Sequence, residues 1–246
     1  YVRTLPAKAL IVKSSDDSNI GDVLKKECWT PVEEFSVSDP NCLWHASNIS
    51  NDLRKFDIFY SGENLGRVEW NLSGIHNISN CLAATAAANN LGVPIKKTTK
   101  ALSEFQSVKR RMEFFGSVNG IDIYDDFAHH PTAIQKTLYG LRRLKEKGKI
   151  LLILDIRSNS MKMGSHINEL PFSLKLADFI LIKENSGIKW NMDKLFLPMK
   201  EKLKISKNAT DILSFLKDNV QSGDTIIIMS NGIIEGIHEE ILKTLE

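Results

Sequence analysis

Apolar positions follow two rhythms in this chain. From Ile121 onward, short apolar-rich stretches at 121–124, 150–154, 179–182 and 225–229 read as strands. Between them lie stripes of helical period. Pro131 opens a helix whose Ile134, Leu138, Leu141 and Leu144 share one face, with Gly148 ending it. Further helices are expected over 211–219 and in a closing segment where Ile234, Ile237, Ile241 and Leu245 align. Such alternation predicts an α/β unit: a mainly parallel sheet with helices on both faces and ligands at the carboxyl ends of the strands. Asp125 and Asp126, the stretch 155–164, the stretch 183–187 and the stretch 230–232 should then share one rim.

The first half is less regular. Residues 9–12 read as a strand leading into the polar "KSSDDSN". Phe56, Ile58 and Tyr60 alternate, and "SGENLG" turns the chain back through Val68 and Trp70, which predicts a hairpin. Nothing regular is assigned to 30–54. An alanine-rich helix starts near Asn77, with Gly92 past its end and Pro94 beyond. A second helix carries Ile95, Thr98, Leu102 and Phe105 on one face, and "SVKRR" reads as a joint between two domains.

Composition adds limits. At 246 residues, 42% hydrophobic and 25% charged, the chain is long enough for two cores. A net charge of +2 lends no support to a nucleic-acid or membrane partner. Cys28, Cys42 and Cys81 form no C-x-x-C pair, so neither a disulfide framework nor a cysteine zinc site is expected, and the cytoplasm is the expected compartment. The chain opens on Tyr1 rather than Met and runs at once toward a strand, the look of a piece of a longer protein.

The chemistry concentrates in "RRMEFFGSVNGIDIYDDFAHHPTAI", 110–134. A carboxylate at a strand end, Asp126, suits a sugar diol, while Arg110 and Arg111 suit phosphate oxygens; a solvated arginine pair beside a helix-capping acid cluster is the competing reading. His129 and His130 precede a helix whose free N–H groups favour an anion and disfavour imidazolium. Adjacent histidines rarely face one metal, and no metal site is expected. In "GIHNISN", the amides of Asn77 and Asn80 beside His76 match an adenine edge; helix capping is the competing reading. "DIRSNSMKMGSH" is a polar loop with Arg157, Lys162 and a glycine, suited to carboxylates or phosphates, with plain solvated surface the competing reading, whereas Met161 and Met163 are expected to pack. "SNG", with Asn231, offers backbone donors or is an ordinary turn. No G-x-x-x-x-G-K-S/T occurs, so these residues include no triphosphate cradle.

Taken in order, "CWTPVEEF", "GIHNISN", "VKRRME", "YDDFAHHPTAI", "RSNSMKMG" and "MSNG" resemble the Mur ligase family across nearly the whole chain. The resemblance implies part of a central ATPase domain over 1–107, followed by a Rossmann-like C-terminal domain over 108–246. It implies an ATP- and Mg²⁺-dependent peptide ligase of peptidoglycan recycling. In such a ligase UDP-N-acetylmuramate, activated as an acyl phosphate, is joined to L-alanyl-γ-D-glutamyl-meso-diaminopimelate. His76, Asn77 and Asn80 would hold adenine, Arg111 the phosphates and Asp126 the ribose. His129 and His130 would face the acyl phosphate, with Arg111 the third catalytic candidate. Arg157, Ser158, Asn159, Lys162 and Asn231 would meet the amine substrate. Magnesium ligands would lie mostly outside these residues. A D-N-P-R motif of diaminopimelate-adding relatives is replaced by "ENSG", 184–187, so its arginine is absent. Two other readings stay open: a ligase for free L-alanine, and a non-catalytic peptide-binding fragment. The fragment alone is expected to be inactive and to self-associate through an unpaired sheet edge.

Overall fold

A computed structural model describes residues 2–232, 234 and 236–246. The chain divides into two compact units, one ending at Gln106 and the other beginning at Ser107.

The first unit is built on β1 (Ile11–Ser14), β2 (Val32–Ser36), β3 (Trp44–Ser47), β4 (Lys55–Tyr60) and β5 (Glu63–Glu69). These form one sheet in sequential order, β1 to β3 parallel and β3 to β5 antiparallel. The β4–β5 hairpin turns on Ser61 and Gly62, both at positive φ (48° and 81°), the two-residue turn whose twist suits paired strands. Helices α1 (Ser18–Leu24), α2 (Ile75–Asn90) and α3 (Ile95–Ser103) complete the unit. Ile78, Cys81, Leu82 and Ala86 of α2 share a core with Phe35, Trp44, Phe56 and Ile58 of the sheet. Two expectations change here. The stretch 30–54 contains β2 and β3, and their short, uneven runs carry no readable period. Phe105 lies beyond the end of α3 and is exposed.

The second unit has a sheet ordered β10-β9-β8-β11-β7-β6. Its strands are β6 (Glu113–Val118), β7 (Ile121–Asp126), β8 (Ile150–Asp155), β9 (Phe179–Lys183), β10 (Leu203–Ser206) and β11 (Thr225–Ser230). Every pairing is parallel except β6 with β7. Alternate residues of each buried strand feed opposite cores. Ile150, Leu152 and Leu154 pack with Ile134, Leu138 and Leu141 of α4 (Pro131–Leu144), and with Met161 and Leu170 of α5 (Asn159–Met163) and α6 (Leu170–Ser173). Leu151 and Ile153 pack with Ile212 and Leu216 of α8 (Ala209–Asn219) and with Ile237 and Ile241 of α9 (Ile237–Leu245). Phe196 of α7 (Met192–Phe196) joins the first of these cores.

This two-sided burial is why β8 and β11 read as continuous apolar runs rather than alternating ones. It also fixes a crevice. The chain leaves β8 toward one face and β11 toward the other, and these strands are neighbours, with Asp155 opposite Ser230 at their carboxyl ends. A sheet with that reversal opens its crevice there. Here β6 and β10 add to the elements expected, Gly148 lies past a helix that already ends at Leu144, and Ile234 precedes α9 rather than joining it.

Candidate functional site at the strand-end rim

In the second unit the rim is tied together by charge. Arg110, in the left-handed region (φ 58°), donates through Nε to Asp125 (2.9 Å) and through Nη2 to the carbonyls of Ser230 (2.8 Å) and Gly232 (2.7 Å). Its role is therefore to fasten the segment before β6 to the turn after β11. Arg111 is exposed, with its guanidinium 5.4 Å from the Phe127 ring centre, and remains available to an anion. Burial opposes ionisation of Asp125, yet His238 (Nε2 3.6 Å away, an ion-pair rather than a hydrogen-bond distance) and Arg110 outweigh it and hold that carboxyl below the usual carboxylate range.

Asp126 behaves oppositely. It is 3% exposed, and burial raises its pKa even though the backbone N–H groups of Ala128 (2.7 Å) and Met112 (2.7 Å) each donate to one of its oxygens. These two bonds join the segment before β6 to the loop after β7. His129 Nδ1 pairs with the Phe127 carbonyl (2.9 Å), while His130 caps α4, its Nδ1 accepting from Thr132 N (3.3 Å). An accepting Nδ1 requires an unprotonated nitrogen. Burial and the neighbouring His166, whose ring centre is 4.2 Å away, hold the His130 imidazole below its ordinary value.

After β8 the expected polar loop is in fact a capped helical turn. Ser158 Oγ accepts from Met161 N (3.4 Å), and Gly164 ends α5 in the left-handed region (φ 83°). The indole of Trp190 donates to the Met161 carbonyl (2.8 Å), and Lys189 N donates to that of Lys162 (2.9 Å). Met161 packs as expected, whereas Met163 is 60% exposed; the helical turn places it outward. Asn159 is exposed and Lys162 half-buried.

Arg157 and the turn bearing Asn231 meet in the β8/β11 crevice. A Cβ on Gly232 would lie 2.6 Å from Arg157 Cδ and 2.7 Å from its Nη1. Asn231 is half-buried, and its Oδ1 is enclosed without a hydrogen bond among the described residues. Sequence reasoning passed over Asp155, which is fully buried and accepts from Arg157 Nε (2.5 Å), Asn185 Nδ2 (2.5 Å) and Ser230 Oγ (2.8 Å). A carboxylate closing the apolar run "ILLILD" was the available signal.

In the first unit, Gly74 (φ 112°) precedes α2, and a Cβ there would meet His76 Cε1 at 2.6 Å. Asn77 Nδ2 donates to the Ser73 carbonyl (2.9 Å), so its amide partly serves the start of α2. Asn80, one turn on, is exposed. Among the described residues no group of three His, Cys, Asp or Glu stands where it could hold a metal.

Comparison with known proteins bears on this geometry. The Mur ligase middle domain matches residues 2–88, and the Mur ligase, glutamate ligase domain matches residues 110–232. The UDP-N-acetylmuramate–L-alanyl-γ-D-glutamyl-meso-2,6-diaminoheptandioate ligase of Haemophilus influenzae is 37% identical over 100% of this chain and 54% of its own length. A UDP-N-acetylmuramate–L-alanine ligase from Caldicellulosiruptor bescii is 32% identical over 99% of the chain and 55% of its own. The crystal structure of a murein peptide ligase from Psychrobacter arcticus superposes with a TM-score of 0.74 at 38% identity, covering 99% of this chain and 52% of that one. The chain spans about half the length of the relatives it matches. With the two domain matches falling in order along the chain and the fold superposing on that of a murein peptide ligase, the chain belongs to the Mur ligase family.

Proposed function

We propose that this chain serves an ATP-dependent ligase that joins UDP-N-acetylmuramate to L-alanyl-γ-D-glutamyl-meso-diaminopimelate in the cytoplasm. The observation that carries the reading is the loop from Arg157: two cations, Arg157 just before the capped helical turn α5 and Lys162 within it, follow the carboxyl end of β8. Two cations suit a tripeptide bearing several carboxylates better than L-alanine with one. Identity supports the same choice, at 37% against 32%.

In this reading the second unit holds the amine substrate through Arg157 and Lys162, with Asn159 and Asn231 as hydrogen-bonding neighbours. Ser158 contributes by capping α5. Arg111 neutralises the phosphate that leaves when the amine attacks the acyl phosphate, and His129 and the neutral His130 line that region. Asp126 takes the ribose hydroxyls with the lone pairs its two backbone contacts leave over. His76, Asn77 and Asn80 take the adenine edge, Gly74 leaving room for the His76 ring. The test is a ligation assay on the full gene product with UDP-N-acetylmuramate, ATP and Mg²⁺, offering tripeptide or L-alanine and reading products by mass. The tripeptide product is expected; a product from L-alanine alone would move the protein to the other branch.

The chain as given, with no glycine-rich phosphate loop in its sequence, is expected to hydrolyse no ATP in a phosphate-release assay. Strand β1 pairs with β2 alone among the described residues, and an open parallel edge favours self-association. Light scattering should show mass rising with concentration; a constant monomer mass would contradict this.

A further inference from the structure

Arg157 is unusual in how it is held. Its Nε donates to Asp155, its side chain is 36% exposed, and its Nη atoms make no hydrogen bond among the described residues. The guanidinium also lies against Gly232, where a side chain would leave no room for it. Asp155 is itself fixed from the neighbouring strands, by Asn185 Nδ2 beyond β9 and by Ser230 Oγ at the end of β11. Gly232 N in turn donates to Ser230 Oγ (3.0 Å). A buried carboxylate with three donors thus grips one edge of the guanidinium and leaves the other edge, with two Nη groups, in the geometry that takes a carboxylate by two parallel bonds.

We propose that Asp155, Asn185 and Gly232 are positioning residues that set Arg157 for bidentate capture of a carboxylate of the amine substrate. This rests on the reading that the second unit binds the tripeptide. Asn185 is the second residue of "ENSG", whose fourth, Gly187, stands where the D-N-P-R motif has its arginine. Asn185 supplies no charge to the ligand, but orients the charge that Arg157 supplies.

Gly232→Ala provides the cleanest test, because it removes no member of the network. The added methyl meets the Arg157 side chain at Cδ, Nε and Nη1 rather than any backbone, so it is expected to displace Arg157, and melting temperatures check that the fold is kept. Tripeptide binding to the chain would be measured by calorimetry for Gly232→Ala, Asn185→Ala, Arg157→Ala and each double variant with Arg157→Ala. Each positioning variant is expected to weaken binding by about tenfold, and to add about twofold or less once Arg157 is gone. Nitrogen NMR supplies a readout of orientation: the Arg157 Nε–H should exchange slowly in the native chain and quickly in Asn185→Ala, with melting temperatures recorded alongside. Positioning variants that bind like the parent, or whose losses persist undiminished beside Arg157→Ala, would overturn this inference and leave the substrate reading standing. Loss of no affinity in Arg157→Ala, or no tripeptide uptake by the parent chain, would overturn the reading itself and the inference with it.

Discussion

Arg110 and Arg111 are neighbours of one chemical type, and the structure gives them different work. Arg110 fastens Asp125 and two carbonyls of the turn after β11, whereas Arg111 lies exposed over Phe127. Replacing Arg110 with alanine should cost about 2 kcal/mol in chemical denaturation, since it strands a mostly buried carboxylate; the matching Arg111 variant should melt like the parent. Nothing local in "KRRME" distinguishes the two, because the partners of Arg110 come from distant strands. Half of His130 was legible: a helix start disfavours its cation, but its accepting role as the cap of α4 was not read from the sequence. Its folded pKa lies below the ordinary 6.5, so between the two values the unfolded chain binds more protons. The stability it contributes is complete above the ordinary value and falls as pH drops through it. His130→Asn keeps an accepting cap without a titrating ring. Melting temperatures from pH 7.5 to 5 should therefore fall more for the parent than for the variant; parallel curves would contradict this assignment. Cys81 tells a simpler story, as burial pushes its thiol up to about 12. Ellman titration should find Cys28 and Cys42 in the native chain and Cys81 after denaturation.

Elements with a strong period were legible, and those defined by neighbours were not. The apolar runs at β8, β9 and β11 and the stripe on α4 were all found because burial on two faces, or along one stripe, writes itself into the sequence. Strand β6 was missed although Asn119-Gly120, with both residues at positive φ (49° and 77°), is a strong two-residue hairpin signal. Its exposed Phe114 and Phe115 blur the alternation that would have marked it. Helix α5 was missed for another reason: at five residues it is too short for periodicity, and its stability comes from Ser158, Gly164 and Trp190. That dependence is measurable. Gly164→Ala forces a side chain to φ 83° and brings its Cβ within 3.2 Å of Trp190, so it should lower the stability of this unit by about 1 kcal/mol.

At the scale of the whole chain, the order of motifs carried more than any one of them. "HNIS" alone is a helix start and "SNG" alone a turn; their sequence with "DDFAHHPT" and "RSNSMKMG" pointed to the family that the two matching profiles show. The α/β class and the shared rim of the strand-end loops were readable from alternation. The buried hub at Asp155 was not, since it depends on β11 inserting between β7 and β8, a topology that no local pattern encodes. The central claim is that this rim binds a carboxylate-rich peptide rather than a single amino acid. Parallel calorimetric titrations of the chain with tripeptide and with L-alanine test it most directly: saturable tripeptide binding, lost in Arg157→Ala, with no heat from L-alanine, is the predicted result, and saturation by L-alanine with none by tripeptide would contradict it.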